Sequence, residues 1–401
     1  MAKNITLCQF RQHNGVVIDT RDSALYNGWP DALHGTSGHL AGARNLAACW
    51  LDEMTDAQFA SWSALRPVSA ETRIALYGAP QDNDAIEAWL HQKGLHAPWR
   101  ISDAFSSSLA LERLPGFHHI VPASWLNALI THRQVSEKPV GKWRVIEAGW
   151  DERDTFRHGH IPGADYLDTQ ELENEPLWNV VSSEALRDVL FAHGVCYDTT
   201  VILYSRNPLA AARVAHILLY AGVQDVRVLD GGWRAWHHAG FPVASGEALS
   251  ITPARDFGAP IPAQPQLMLS LPQTRALLNR KDASVVSVRS WAEYSGATSG
   301  YAYIDVSGDI PGARWGHGGR DKDGIEDFLN PDATLRCAND ITAMWDAWNI
   351  TADQQIVFYC GTGWRASMAF ICARAMGWTN IGIYDGGWYE WSLQHKKDNH
   401  A

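Results

Sequence analysis

Hydrophobic and polar positions follow two alternating patterns along the chain. Short runs of β-branched and other apolar residues, such as 16–19, 201–204 and 356–359, are typical of buried strands. Longer segments with helical periodicity, such as 182–195 and 340–350, lie between such runs. Strands that alternate with helices predict an α/β fold, in which mostly parallel sheets are flanked by helices on both faces.

The pattern also repeats as sequence. The segment 201–236 aligns without a gap with 356–391, so that the motif "DGGW" occurs in both and Ser205 aligns with Cys360. Upstream, "GHIPGA" at 159–164 corresponds to "GDIPGA" at 308–313, and "RVIEAGW" at 144–150 corresponds to "VVSVRSW" at 285–291. Repetition on this scale indicates that one structural unit has been duplicated.

A third and more diverged copy opens the chain. It contains "VVIDTR", "HLAGA" and "IALYGAPQDNDAIEAWLHQKGL" in the same order. We therefore predict three tandem domains, at residues 1–115, 116–255 and 256–401. The proline-rich stretch 252–266 is expected to link the second domain to the third.

Composition and charge exclude several classes of function. The 401 residues carry a formal net charge of −11 and no basic cluster, which argues against nucleic acid or an anionic membrane surface as a partner. No apolar run reaches the roughly 18 residues that a membrane span needs. None of the six cysteines forms a CxxC pair and the histidines lack metal-ligand spacing, so we expect no metal site and no cofactor.

The loop from Cys360 to Arg365 contains the candidate catalytic residues. Cys360 ends an apolar run, and Arg365 precedes a segment expected to be helical from about Ala366. The residues between them can form a turn whose backbone N–H groups bind an anion; they are Gly361, Thr362, Gly363 and Trp364. The positive end of the helix and the guanidinium would favour a thiolate, which is the nucleophilic form of a cysteine.

The motifs "YCGTGWRAS", "GDIPGA" and "DGGWYEW", in this order, resemble the rhodanese family of sulfurtransferases, and the repeat extends the resemblance over the whole chain. The resemblance implies three tandem rhodanese-like domains, of which the third is catalytic. The first two are expected to be inactive, because Gly78 and Ser205 stand where Cys360 does. The second domain is expected to line the site. Similarity to three-domain bacterial members implies a periplasmic location; the first residues contain no signal-peptide pattern, so the cytoplasm is the alternative.

The family also implies a mechanism in two half-reactions, with Cys360 as the nucleophile. A donor such as thiosulfate would leave its outer sulfur on Cys360 as a persulfide, and a thiol, cyanide or a protein cysteine would accept it. Arg365 would bind the anionic part of the donor. Arg289 and Arg314 are further candidates for substrate binding, although Ser287 stands where the family usually has an aspartate beside Arg289.

Three alternatives stay open. The donor could be 3-mercaptopyruvate, although the charge of Arg365 favours thiosulfate. Cys360 could instead hold sulfur as a persulfide carrier for a protein partner. A phosphatase or arsenate reductase is disfavoured, because those relatives place five residues between cysteine and arginine, whereas four lie between Cys360 and Arg365.

Overall fold

The structure is a computed structural model that describes residues 3–31, 35–106, 108–248 and 250–400, with side chains described as far as residue 394. Each third of the described chain contains a five-stranded parallel sheet with helices between its strands. This confirms the predicted α/β fold class.

The elements of the first third are β1 (Lys3–Ile5), α1 (Leu7–Arg11), β2 (Val16–Asp19), α2 (Ser23–Asn27), β3 (His39–Leu40), β4 (Arg44–Asn45), α3 (Asp56–Leu65), β5 (Ile74–Tyr77), α4 (Pro80–Gln92), β6 (Trp99–Ile101) and β7 (Leu111–Glu112). Those of the second are β8 (Ile120–Val121), α5 (Ala123–Ile130), β9 (Trp143–Gly149), α6 (Arg153–His158), β10 (Asp165–Asp168), β11 (Glu173–Asn174), β12 (Asn179–Val180), α7 (Ser183–Ala192), β13 (Thr200–Tyr204), α8 (Pro208–Ala221), β14 (Val226–Leu229) and α9 (Gly232–His238). Those of the last are β15 (Met268–Leu269), α10 (Leu271–Leu277), β16 (Ala283–Ser287), α11 (Trp291–Tyr294), β17 (Arg314–Trp315), α12 (Ala338–Asp346), β18 (Gln355–Tyr359), α13 (Trp364–Ala375), β19 (Ile381–Tyr384) and α14 (Gly387–His400).

The three sheets share one topology. Their strand orders are β1-β6-β5-β2-β4, β8-β14-β13-β9-β10 and β15-β19-β18-β16-β17. In each sheet the first strand of the repeat lies at one edge, and β5, β13 or β18 lies at the centre. The repeats in the sequence are therefore repeats of structure.

Strand register corrects one detail of the alignment. Asp19 pairs with Tyr77, Glu147 with Tyr204, and Ser287 with Tyr359. Glu147 is thus the structural counterpart of Ser287. The gapless match of "RVIEAGW" with "VVSVRSW" aligns Glu147 with Val288, so the sequence alignment is displaced by one residue here. The first two domains keep a carboxylate at this position, and the third has replaced it with a hydroxyl.

The core of the last sheet forms around its central strand. All residues of β18 after Gln355 are buried, and Val357 and Tyr359 pack in one cluster with Trp388 and Trp391 of α14. The tryptophans that recur with the "DGGW" motif are therefore packing residues in this domain. A central, fully buried strand gives the loop that follows it a rigid base.

The chain divides into two compact units, which are Met1–Phe117 with Leu329–Met344 and His118–Phe328 with Trp345–Ala401. Within the first unit, the guanidinium Nη2 of Arg44 lies 3.4 Å from the Asp340 carboxylate. The segment 329–344, which the predicted boundaries assign to the third domain, therefore packs with the first. The division into domains at 115 and 255 stays a prediction.

Within the described residues, no helix combines the length and the apolar character that crossing a bilayer requires.

Candidate active site

Cys360 lies at the carboxyl end of the central strand β18, four residues before α13 begins at Trp364. Its side chain is buried, with 1% of the residue exposed. Ligands of open parallel sheets bind beyond the carboxyl ends of the strands, so the thiol lies where the fold class places functional groups.

The loop after Cys360 contains backbone N–H groups that are available to a ligand. In the part of the chain that the structure describes, no backbone N–H from Gly361 to Ala366 donates a hydrogen bond to a protein acceptor. Gly363 is the N-cap of α13 with a φ of +95°, a left-handed conformation that glycine adopts without strain. These amides and the helix N-terminus can therefore bind an anion formed on or next to Cys360.

The "DGGW" motif holds this loop in place. The Trp388 N–H donates to the Cys360 carbonyl at 2.7 Å, and the Tyr389 N–H donates to the Gly361 carbonyl at 3.2 Å. Gly387 has a φ of +55°, and a Cβ there would lie 2.6 Å from the Cys360 carbonyl oxygen. The glycine is required because backbone approaches backbone at this point.

The second domain uses its copy of the motif in the same way. The Trp233 N–H donates to the Ser205 carbonyl at 3.0 Å, and a Cβ on Gly232 would lie 2.6 Å from that oxygen. The motif therefore contacts a loop that has a thiol and one that has none, so its contact positions the loop and does not depend on the thiol.

The guanidinium of Arg365 forms an ion pair with Glu293, a residue that was not predicted from the sequence. Its Nη1 and Nη2 donate to the two oxygens of Glu293, each at 2.8 Å, and both side chains are buried. Nη1 also donates to the Asp321 carbonyl at 3.0 Å and Nη2 to the Tyr301 hydroxyl at 2.8 Å. Burial alone would raise the pKa of Glu293, but the Arg365 guanidinium holds it down at about 2. The expected binding of donor by Arg365 stays a prediction, since its charge is already paired.

Tyr301 covers the loop from the other side. A Cβ on Gly361 would overlap its ring, so the phenol rests on the glycine backbone next to Cys360. Burial raises the pKa of Tyr301 well above its ordinary value, so the phenol keeps its proton at neutral pH. Its oxygen accepts from Arg365, which leaves the O–H free to donate toward the loop.

Trp364 faces the second domain. Its indole Nε1 donates to the Glu173 carboxylate at 2.9 Å, and its ring centroid lies 5.7 Å from that of Trp150. Glu173 is buried and also accepts from Arg213 at 2.7 Å. Burial raises the pKa of Glu173 to about 7, against the opposite influence of Arg213 and Trp364.

Arg213 joins this contact to the "DGGW" motif. It is fully buried in α8, and its Nη2 donates to the Asp385 carboxylate at 2.7 Å. Among the described residues its Nη1 has no hydrogen-bond partner, and a Cβ on Gly363 would lie 2.9 Å from it. The second domain thus packs directly against the catalytic loop, as the family resemblance leads one to expect.

These elements enclose a pocket of about 470 Å³. Both domains of the second unit contribute to it. Its lining residues are Trp150, Trp178, Asn207, Leu209, Tyr301, Tyr303, Lys322, Asp323, Thr362, Trp364 and Arg365. Among the described residues, no group of three or more His, Cys, Asp or Glu side chains has the arrangement to hold a metal ion.

Arg289 and Arg314 do not line this pocket. The buried guanidinium of Arg289 donates to the carbonyls of Gly308 and Ser299, at 2.7 and 3.2 Å. It also lies 3.5 Å from Asp309, whose carboxylate accepts from Ser287 at 2.8 Å. Asp309 thus supplies the carboxylate that Ser287 lacks, and Arg289 anchors the segment 299–309.

Arg314 lies on β17, where its guanidinium donates to the Asn349 carbonyl and to Gln354. Its contacts tie the sheet edge to the turn before β18. Substrate binding by either arginine stays a prediction, and the contacts of both are structural.

The equivalent loops of the first two domains differ from the loop of Cys360. In the second domain Arg206 donates to Glu147 at 3.0 Å and lies over the ring of Trp233, with its guanidinium carbon 4.3 Å from the ring centroid. Pro208 begins α8 and removes one amide from the loop. In the first domain Pro80 likewise begins α4.

Four side chains that contact the loop from Gly361 to Arg365 were not predicted from the sequence: Glu173, Arg213, Glu293 and Tyr301. Arg213 did leave a signal, because it is a lone arginine within the apolar run "PLAAARVAHILLYAG". A charge on a buried helix needs a carboxylate partner. Glu293 lies in an S-x-x-E pattern with Ser290, which is typical of a helix N-terminus and does not indicate a partner for its carboxylate. Glu173 and Tyr301 lie in segments without periodicity or motif.

Comparison with known proteins identifies the family of the chain. A family model of the rhodanese-like domain matches residues 135–239 and 270–394, more than half of the chain. The Escherichia coli K12 protein called Thiosulfate sulfurtransferase YnjE is 54% identical over 396 residues, which cover 99% of this chain and 91% of the relative. A solved structure described as the crystal structure of YnjE matches with a TM-score of 0.95 and 54% identity, over 99% of this chain and 95% of that one.

Two further relatives differ in what their names state. The Sulfur carrier protein TtuD of Thermus thermophilus is 30% identical over 263 residues, which cover 62% of this chain and 88% of the relative. A crystal structure of the anaerobic ergothioneine biosynthesis enzyme from Chlorobium limicola, in complex with its natural substrate trimethyl histidine, matches with a TM-score of 0.90. It is 34% identical and covers 98% of this chain and 97% of that one.

The backbone contact at Gly387 can be tested with a matched pair of substitutions. Gly387→Ala and Gly232→Ala place a methyl group against equivalent carbonyl oxygens, so both should lower the thermal midpoint by similar amounts. Only Gly387→Ala should displace the loop of Cys360, and we expect it to lower the rate of sulfur transfer about 10- to 100-fold. Equal activity losses in the two variants would contradict the positioning role.

The Glu293–Arg365 ion pair predicts a pH-dependent stability. Glu293→Gln should lower the free energy of unfolding by about 3 kcal/mol at pH 7, because the folded-state pKa of Glu293 lies below its ordinary 4.5, at about 2. The difference should be fully present above pH 4.5 and disappear as the pH falls toward 2. Denaturant unfolding of wild type and variant at several pH values measures it.

The control is Asp282→Asn, which removes an exposed partner of Arg280 at 2.7 Å. Exposed ion pairs contribute little, so this variant should unfold like the wild type at every pH. Unchanged stability of Glu293→Gln at pH 7 would show that the buried pair is not a net stabilising contact.

Proposed function

The chain belongs to the rhodanese-like family of sulfurtransferases, and from this premise we propose that it moves the outer sulfur of thiosulfate to a thiophilic acceptor through a persulfide on Cys360. One observation carries the proposal: of the three equivalent strand ends, only the third has a thiol, and it is followed by the unpaired amides from Gly361 to Ala366. The relative from Escherichia coli, whose name states this activity, supports the donor.

The first half-reaction follows from these groups. The Cys360 thiolate uses its electron pair to form an S–S bond with the outer sulfur of thiosulfate. The bond between the two donor sulfurs breaks, and its electron pair leaves with sulfite, so the enzyme keeps a persulfide anion. The amides of the loop and the N-terminus of α13 stabilise the negative sulfur at each stage.

The second half-reaction returns the sulfur to solution. A thiol, cyanide or a protein cysteine attacks the outer sulfur and releases the Cys360 thiolate, which is covalent catalysis of the ping-pong type. The pocket of about 470 Å³ admits a small acceptor to the loop. Tyr301 lies against Gly361 and can donate a hydrogen bond to the persulfide from its free O–H.

Other donors and roles remain candidates. The donor 3-mercaptopyruvate is an alternative to thiosulfate, and the name of the Thermus relative supports a role as a persulfide carrier for a protein partner. A phosphatase or arsenate reductase is less favoured, because only four residues separate Cys360 from Arg365. The periplasmic location, with the cytoplasm as its alternative, stays a prediction.

The lining of the pocket favours a second candidate function, which is sulfur transfer to a trimethylammonium compound. The ring centroids of Trp150 and Trp178 lie 4.8 Å apart, Trp364 lies beside Trp150, and Tyr303 lines the same pocket. Aromatic faces attract quaternary ammonium groups. The Chlorobium limicola enzyme, with a similar fold, binds trimethyl histidine.

The principal proposal predicts a change in mass. Incubation with thiosulfate should add one sulfur atom to the intact protein, and peptide mapping should place it on Cys360. Cyanide should then remove the sulfur as thiocyanate. Cys360→Ser should fold normally, because Ser205 occupies the equivalent position in the second domain, but it should gain no mass. Sulfur on Cys196 or Cys372, or turnover by Cys360→Ser, would refute the mechanism.

The same loaded protein tests the second candidate. After excess thiosulfate is removed, trimethyl histidine should take up the sulfur faster than histidine does, since histidine has no quaternary ammonium group for the aromatic pocket. Trp150→Ala should remove that preference while leaving discharge to cyanide unchanged. Equal rates with both compounds in the wild type would exclude this candidate and leave the principal proposal standing.

A further inference from the structure

The donor of the proposed reaction is an anion, and a positive charge in the pocket would add to the loop amides in binding it. Two of the described residues that line the pocket carry such a charge, Arg365 and Lys322. Arg365 donates to both oxygens of Glu293 at 2.8 Å, so its charge is paired within the protein interior. The charge that is left to meet a donor from solution is that of Lys322.

The segment that carries Lys322 is anchored to the catalytic loop. Arg365 Nη1 donates to the Asp321 carbonyl at 3.0 Å, one residue before Lys322. The Asp323 N–H donates to the Asp321 carboxylate at 2.9 Å, which closes a tight turn around the lysine. Arg365 thereby holds the backbone of the segment that carries Lys322.

Lys322 has a partner that a donor can replace. Its Nζ lies 2.6 Å from the carboxylate of its neighbour Asp323, and the two side chains are 41% and 76% exposed. An exposed ion pair of this kind contributes little free energy, because water screens both charges. A dianion that enters the pocket can therefore exchange with Asp323 at small cost.

We infer that Lys322 binds the sulfonate end of the anionic sulfur donor and that Asp323 competes with the donor for it. The inference rests on the proposed function. In the transfer, Cys360 bonds to the outer sulfur, the S–S bond of thiosulfate breaks, and the electron pair leaves on sulfite. Lys322 acts on the end of the donor that becomes sulfite, so it affects loading of Cys360 and not discharge.

The test compares variants of opposite charge in steady-state assays with thiosulfate and cyanide. Lys322→Ala should raise the KM for thiosulfate about five- to tenfold, and Lys322→Arg should retain most of the affinity. Asp323→Asn should lower the KM about twofold, because it removes the competing carboxylate. Lys281→Ala is the control, since Lys281 is exposed and does not line the pocket.

Two further measurements separate binding from structure. Added salt should raise the KM of the wild type more than that of Lys322→Ala, because salt screens the charge that the variant lacks. Discharge of preformed persulfide to 2-mercaptoethanol, a neutral thiol, should proceed equally in both proteins. Slower discharge in Lys322→Ala would mean that the lysine supports the loop, and it would overturn the inference.

The outcomes distinguish the two proposals. If the wild type forms no thiocyanate from thiosulfate and gains no sulfur, the proposed function is wrong. If the wild type turns over but Lys322→Ala keeps its KM for thiosulfate, the function stands and the assignment of Lys322 is wrong. An unchanged KM in Asp323→Asn, together with a raised KM in Lys322→Ala, would retain the lysine and reject the competition.

Discussion

The catalytic loop depends on one buried ion pair, which joins Arg365 in the first turn of α13 to Glu293 in α11. Both charges have left water, so their mutual attraction and hydrogen bonds must replace hydration; breaking such a pair from one side typically costs about 3–5 kcal/mol. The same guanidinium holds the Asp321 carbonyl and the Tyr301 hydroxyl. The helix start, the phenol over Gly361 and the turn before Lys322 are therefore fixed by a single side chain.

A second network of buried charges joins the second domain to the loop of Cys360. Arg213 lies in α8 of the second domain, and its guanidinium binds Glu173 of the same domain and Asp385 of the third. Glu173 in turn accepts from Trp364, which begins the catalytic helix. The second domain has Ser205 at the position of the thiol, and its residues Trp150, Trp178, Asn207 and Leu209 line the pocket. Burial raises the pKa of Glu173, and the Arg213 guanidinium and the hydrogen bond from the Trp364 indole N–H oppose that rise.

The three repeats show which parts of the unit serve the fold and which serve the chemistry. The contact of the "DGGW" backbone with the loop carbonyl is present in the second and third domains. The carboxylate of Asp19 and Glu147 is replaced by Ser287, and Asp309 takes over the contact with arginine from another loop. The backbone geometry has been kept where side chains have changed, since strand register and glycine conformation allow few substitutions.

The sequence by itself determined the fold class and the repeats and indicated Cys360 as the candidate nucleophile, because these depend on local periodicity and on motifs that are contiguous in the chain. Cys360 and its glycines could be identified since one turn contains them all. The sequence did not determine the partner of Arg365, because Glu293 lies 72 residues away along the chain. For the same reason it did not determine the partner of Trp364, since Glu173 lies 191 residues away. Only the tertiary structure decided that Arg365 is paired, that Arg289 and Arg314 anchor loops, and that Lys322 faces the pocket. Burial and charge pairing depend on which segments meet in space, and no local pattern encodes that.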